Sequence, residues 1–223
     1  MNRTHIEWAD FTFNPIVGCG NGCGYCYAKK LNDRFKWIKD WNQPEFFPER
    51  LNDPELTRKK PAIIFVGSMC DIFAPKAKKE WVEEVLKVVE KSPQHIFMFL
   101  TKNPSGYHMI RKEWPDNCWL GTTVEHTHKF DKITRMATAK ILKDMSGNKT
   151  FLSIEPLQGS FMGTISPDEF DLVIVGAMTN LVAPPPSRIW INSIRHPNIF
   201  FKENIRIHFD DLPKGDKQQI WKA

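Results

Sequence analysis

"AIIFVGSMCD" (62–71) runs from an unbroken apolar stretch straight into a turn of small and polar residues. A strand with one wet face alternates apolar and polar residues, whereas a continuous β-branched and aromatic run suits a strand covered on both faces. The text recurs in HIFMFLT (95–101), CWLGTTV (118–124), TFLSIEP (150–156), DLVIVGA (171–177) and NIFFKEN (198–204). Between these runs lie WVEEVLKVVEK (81–91), with Trp81, Val85, Leu86, Val88 and Val89 at helical spacing, and FDKITRMATAKILKDM (130–145), with a similar stripe. The stretch NPSGYHMIRKEW (103–114) has room for a short third helix. Strands alternating with helices predict an α/β fold with parallel strands joined by crossovers. Every apolar run ends in polar text on its carboxyl side: GSMCD (67–71), TK (101–102), TTVEH (122–126), SIEP (153–156), GAMTN (176–180) and KEN (202–204). Parallel strands share one carboxyl rim, so these segments predict a single polar cup there.

With 41% apolar and 26% charged residues among 223, the chain is a folding sequence, read as one domain over 1–223. The segment MNRTHIEWADFTF lacks the apolar run of a secretory signal, and no stretch approaches the roughly 18 apolar residues of a membrane helix, so a cytoplasmic protein without membrane association is expected. The formal charge of +5 is spread over short runs such as Arg58-Lys59-Lys60, which read as solvated surface. Residues 38–60, with three prolines, form an ordered excursion after the first helix; Trp37, Trp41, Phe46 and Phe47 are expected to anchor it rather than to stack on a base. APPPSR (183–188) is a stiff loop that opens a last, short helix.

In "GCGNGCGYCYA" (18–28), Cys19, Cys23 and Cys26 stand in C-x3-C-x2-C spacing just before helix-like text. A helix amino terminus favours thiolates. The interleaved glycines allow left-handed torsions and bring backbone N–H groups close to sulfur, as a wrapped iron–sulfur cluster requires. Three protein donors leave one metal position open to a ligand. Three other readings stand beside this one, one of them buried cysteines with no role, which so glycine-rich a loop disfavours. A structural zinc site needs a fourth donor, and Cys70 and Cys118 form no second knuckle; a thioredoxin-type pair at Cys23 and Cys26 leaves Cys19 idle.

C19-GNG-C23-G-Y25-C26 resembles the C-x3-C-x-aromatic-C signature of the radical S-adenosylmethionine (SAM) superfamily. "IEWADFTFNPIVGC" (6–19), "CYA" (26–28), "PERLNDPELTRKKPAIIFVGSMCDIF" (48–73), "FLTKNP" (99–104), "WLGTTVE" (119–125), "LSIEPLQG" (152–159), "LVIVGA" (172–177) and "FFKE" (200–203) are similar to a family of small phage-associated three-cysteine-motif proteins of uncharacterised substrate. The resemblance implies a partial (β/α)6 TIM-like barrel of the radical SAM type. It implies a 4Fe–4S cluster on Cys19, Cys23 and Cys26, with SAM chelating the fourth iron and being cleaved reductively to a 5′-deoxyadenosyl radical that abstracts hydrogen from a substrate. A low-potential donor of the flavodoxin or ferredoxin type is implied as the electron source. The substrate class is open between nucleic acid or a nucleotide and a partner protein, and the alternative is an iron–sulfur binding or electron-transfer module without SAM cleavage, or a zinc-stabilised barrel.

The same resemblance implies roles by position. Tyr25 meets the adenine, and the turn Gly67-Ser68-Met69 meets the SAM amino group. Thr123, Glu125 and Ser153 meet the ribose, and Arg135 pairs with the SAM carboxylate. Asp71, Lys102, Glu155 and Lys202, unclaimed by SAM on the same rim, are candidates for catalytic contact with substrate. The chain departs from the family after "VIVG", where Ala177-Met178-Thr179-Asn180 replaces the usual glycine-glutamate-serine-glycine; the departure implies a different substrate or a lost reaction.

Overall fold

The computed structural model describes residues 1–111, 113–127, 129–161, 165–179 and 184–222. The strands are β1 (Asn2–Arg3), β2 (Phe11–Phe13), β3 (Ile16–Val17), β4 (Glu45–Phe46), β5 (Ile63–Val66), β6 (Ile96–Thr101), β7 (Cys118–Thr123), β8 (Lys149–Ile154), β9 (Leu172–Val175) and β10 (Ile199–Phe201). The helices are α1 (Tyr27–Phe35), α2 (Lys79–Glu90), α3 (Gly106–Ile110), α4 (Phe130–Lys140), α5 (Leu142–Ser146), α6 (Arg188–Asn192), α7 (Glu203–Arg206) and α8 (Gln218–Trp221). The fold is mixed α/β with a mostly parallel eight-stranded sheet in the order β1-β2-β5-β6-β7-β8-β9-β10. All six apolar runs after residue 61 form strands; five stop short of the carboxyl end of the run, and β6 keeps Thr101. Contacts group the chain into two compact units, Met1–Trp119 and Leu120–Ala223.

In the first unit β2 pairs in parallel with β5, and β5 with β6, aligning Phe11 with Ile64 and Val66 with Phe99. Ile63, Ile64 and Val66 are buried on both sides of the sheet, which is why β5 needs an unbroken apolar run. The crossover α2 buries Val82, Val85, Leu86 and Val89, one stripe at helical spacing, each contributing about 1.5–3 kcal/mol of transfer free energy. The excursion after α1 contains β4, paired antiparallel with β3, and two 3-10 turns, Pro48–Asn52 and Pro54–Thr57, each opened by a proline. Its expected anchors divide. Trp41 is buried, Phe46 stacks on Trp81 with centroids 5.8 Å apart, and Arg50 lies over Phe47. Trp37, expected as a fourth anchor, is 44% exposed and packs instead on Phe35.

In the second unit β8 pairs in parallel with β9, and β9 with β10. The predicted helix over 130–145 is divided into α4 and α5, with Ile141 at the junction and Gly147 in a left-handed conformation ending the second piece. Ser187 caps α6 at the end of the proline loop, accepting the Ile189 N–H at 3.3 Å. Among the described residues no helix is long and apolar enough to cross a membrane.

Candidate functional site

The cysteine loop is tied down at both ends. At its start Gly18, at φ 105°, forms a parallel bridge with Cys70 and donates its N–H to the Met69 carbonyl at 3.0 Å. A Cβ at this position would lie 2.9 Å from the Pro44 Cα, so both torsion and space demand glycine. At its end Cys26 is the N-cap of α1: its Sγ accepts the Lys29 N–H at 3.4 Å, in the place that a serine or aspartate oxygen usually takes. The middle is held by Asn21, whose amide donates to Asp71 Oδ2 at 2.8 Å.

All five cysteines are thiols rather than disulfide partners. Burial is the largest influence on Cys19 and pushes its thiol up to about 11; the Asp71 carboxylate and the neighbouring Cys23 add to the rise, and backbone N–H groups of Asn21 and Asp71 oppose it. Burial likewise pushes the Cys70 thiol up, with Asp71 and Cys19 adding to the effect. Burial around Cys19 therefore disfavours a bare thiolate. The donor chemistry fits a cluster held by three cysteines, since the sulfurs belong to one clamped loop and one of them already accepts a backbone N–H. Among the described residues, no three His, Cys, Asp or Glu side chains stand converged on a metal-sized space.

The turn Gly67-Ser68-Met69 is pinned by Asn14. The Asn14 Oδ1 accepts the Met69 N–H at 3.0 Å and the Ser68 hydroxyl at 3.1 Å, while Tyr27 OH donates to the Ser68 carbonyl at 2.9 Å. The Gly67 carbonyl accepts from Cys70 N and the Met69 carbonyl from Gly18 N. Each carbonyl of the turn keeps a second lone pair for a ligand amine. Asp71, 7% exposed, accepts from Thr101 Oγ1 (2.6 Å), Lys102 N (2.8 Å), Asn21 Nδ2 (2.8 Å) and Phe73 N (3.1 Å). Its side chain is thus a knot joining the cysteine loop, the turn after β5 and the end of β6. Lys102 lies over the Tyr25 ring, its Nζ 5.4 Å from the centroid. Among the residues predicted in the first unit, Asp71 and Lys102 are joined directly, and Asn21 brings the cysteine loop to them.

The second unit holds its predicted residues in two groups. Glu125, 2% exposed, takes Lys132 Nζ at 2.7 Å and Arg135 Nη1 at 3.4 Å on the same oxygen, and Arg135 also donates to the Thr123 carbonyl at 2.9 Å. The predicted ribose acceptor and the predicted carboxylate partner therefore pair with each other. Ser153, fully buried at the end of β8, has a hydroxyl oxygen without a hydrogen-bond partner. In the second group Lys202 Nζ lies 3.1 Å from Glu155 Oε1, an ion pair whose angle is too poor for a hydrogen bond. Gly176 makes room for it, because a Cβ there would lie 2.9 Å from that same oxygen. Asn204 clamps both backbone groups of Ala177, at 3.1 and 2.9 Å. In the departing segment 177–180, Asn180 lies outside the described residues.

Sequence reasoning passed over Asn14, Asn21, Thr101 and Lys132. Lys132 had a signal, standing three positions before Arg135 and so on the same face of α4. The asparagines had none, since their partners lie about 50 residues away along the chain.

Comparison with known proteins adds three findings. An uncharacterised protein of Methanocaldococcus jannaschii, MJ0683, is 27% identical over 106 residues, which are 46% of this chain and 39% of that protein. The chain thus matches well under half the length of that relative. Among solved structures, spore photoproduct lyase complexed with dinucleoside spore photoproduct is similar in fold, with a TM-score of 0.52 at 12% identity over 70% of this chain and 48% of that one. A family model described as a protein of unknown function, DUF5131, matches residues 3–214, nearly the whole sequence. The clamped cysteine loop and both groups of strand-end residues lie inside that match, and the chain belongs to the DUF5131 family.

Proposed function

We propose that the protein is a radical SAM enzyme in which Cys19, Cys23 and Cys26 hold a 4Fe–4S cluster and leave one iron for SAM. The observation that carries the reading is the cysteine loop itself: three thiols between a glycine bridge to the strand rim and a thiol-capped helix. Together, the bound cluster and SAM supply one-electron cleavage of a sulfonium C–S bond and a hydrogen-abstracting radical. The chain's own residues bind and orient. The α1 amino terminus offers the Lys29 N–H to Cys26 Sγ. The carbonyls of Gly67, Ser68 and Met69 accept from the SAM amino group through their second lone pairs. Tyr25 offers its ring, with Lys102 on it, to the adenine side. Thr123, Ser153 and Glu125 serve the ribose, Glu125 exchanging part of its Lys132 and Arg135 pairing for hydroxyl donors, and Arg135 turns to the SAM carboxylate. Lys102, Glu155 and Lys202 contact substrate. Asp71 is a positioning residue, because its oxygens already accept four hydrogen bonds.

The reading carries with it the partial (β/α)6 barrel and a flavodoxin- or ferredoxin-type reductant. A fold shared with a lyase that was solved with a dinucleoside supports an enzyme over a passive module. The test is anaerobic reconstitution with iron and sulfide, then dithionite and SAM, with 5′-deoxyadenosine measured by chromatography. The expected result is a brown protein that releases 5′-deoxyadenosine, with both properties lost in Cys19→Ser, Cys23→Ser and Cys26→Ser. Colour without SAM cleavage would mark an iron–sulfur module; full iron retention in all three variants would overturn the site altogether.

A further inference from the structure

The carboxyl end of α1 presents two large aromatic rings to solvent, and the backbone is built to keep them there. Phe35 is 53% exposed and Trp37 44%, and their rings stack with centroids 5.3 Å apart at 24°. Single exposed apolar side chains are ordinary on a protein surface, whereas a contiguous pair of large rings marks an interaction site. Here the turn between them is locked. Buried Asn32 accepts the Ile38 N–H at 3.0 Å, donates to the Ile38 carbonyl at 3.1 Å, and takes the Lys36 N–H on its own carbonyl at 2.7 Å. Lys36 is held left-handed at φ 55°, a conformation that costs a non-glycine residue free energy and persists only when its surroundings enforce it. Ile38 is the inward anchor, packed with Val17, Ala28, Trp41 and Met69. With Ile38 drawn in on one side and α1 fixed on the other, Phe35 and Trp37 are left outside. Around them stand Lys29, Lys30, Arg34, Lys36 and Lys39, all exposed, against the carboxylates Asp33 and Asp40. Asp33 is tied to Lys29 at 2.9 Å, and the Arg34 guanidinium lies 5.0 Å from the Phe35 centroid.

We propose that this turn is a docking surface for single-stranded nucleic acid. Flat aromatic faces held rigid among cations match what an unpaired strand offers: bases with open π-faces on a chain of phosphates. A duplex keeps those faces inside its own stack, so the surface selects unpaired strands. An acidic polypeptide would answer the charges and leave the rings without a matching partner. Docking is independent of the cysteine chemistry, although the nine residues of α1 set Phe35 only about 13 Å along the helix from the Cys26 cap.

Fluorescence anisotropy of labelled oligonucleotides about 12 nucleotides long tests the proposal on the full chain without SAM, so its outcome is separate from cluster assembly. The expected result is tighter binding of single strands than of duplex. Phe35→Ala and Trp37→Ala should each weaken binding by about 5- to 150-fold, the range of one lost base stack, and Trp37→Phe should restore most of it. The joint change Lys36→Gln and Lys39→Gln should lower the slope of log affinity against log salt by about 0.7 per lysine that neutralises a phosphate, whereas Lys87→Gln on α2 should leave it unchanged. Unfolding midpoints of the alanine variants should match the parent, since both rings are exposed. Undiminished binding in folded Phe35→Ala and Trp37→Ala overturns the proposal, as does displacement of the oligonucleotide by polyglutamate at equal charge concentration, which would mark an acidic-protein surface.

Discussion

Replacing Asp71 separates a positioning carboxylate from one that merely sits in a polar cup. Its two oxygens accept four donors, and each oxygen takes one backbone N–H: Phe73 N on Oδ1 and Lys102 N on Oδ2. Backbone donors cannot turn away, so an asparagine amide presents its NH2 to one of them in either orientation. Asp71→Asn should therefore cost about half as much as Asp71→Ala, because it keeps the size and one acceptor. Asn21 and Phe73 are partly exposed and can recover water, so in Asp71→Ala the cost falls on the Thr101 hydroxyl, 1% exposed, and the Lys102 N–H. At about 1–2 kcal/mol each, the loss comes to roughly 2–4 kcal/mol, a large share of the 5–15 kcal/mol typical of a domain. Urea unfolding followed by tryptophan fluorescence should show a midpoint lowered by about 1 M in Asp71→Ala and by about half as much in Asp71→Asn. Because Asn21 loses its anchor, iron bound per chain after reconstitution should fall as well. An Asp71→Ala protein as stable as the parent would refute the reasoning, since that substitution removes the carboxylate to which both the Thr101 hydroxyl and the Lys102 N–H donate.

Three further outcomes follow from named contacts. Gly121→Ala would bring a Cβ within 2.2 Å of the Phe151 ring, so it should destabilise by at least about 1–3 kcal/mol in urea unfolding, with a compensating gain on shortening Phe151 to Leu. Ser153→Ala removes a buried hydroxyl that has no partner and should be neutral or stabilising by up to about 1 kcal/mol, while weakening SAM binding in calorimetry if the ribose reading holds. Burial works to raise the Asp171 carboxyl, but the Thr150 N–H and the ammonium groups of Lys143 and Lys149 outweigh it and hold it below the ordinary range. A depressed folded pKa stabilises above the unfolded value of about 3.9 and loses that contribution as pH falls through the folded one, so the stability gap between parent and Asp171→Asn should be full at pH 7 and close below about pH 4.

Much of the fold was legible because its signals are local. Continuous apolar runs, the α2 stripe and the C-x3-C-x2-C loop each announce themselves within a dozen residues, since side-chain periodicity reports on the element that carries it. The division of the helix over 130–145 at Ile141 was not announced, because its apolar stripe runs on without a proline or glycine to mark the break. Residue types at the strand ends were legible too, but their partners were not. Glu125 and Arg135 read as two separate ligand contacts, and in the folded chain they share one buried charge cluster with Lys132.

By itself the sequence determined the α/β class, the six strands after residue 61 and the thiol-rich loop before α1, because burial on two faces and glycine torsions write directly into residue choice. Only the tertiary structure decided that Asp71 ties the cysteine loop to β6, that Asn14 pins the turn after β5, and that Trp37 faces water while Trp41 does not. Those outcomes depend on which strands lie side by side and on which of several donors reaches an acceptor first. That is a matter of distances across tens of residues, on which no local pattern of polarity bears.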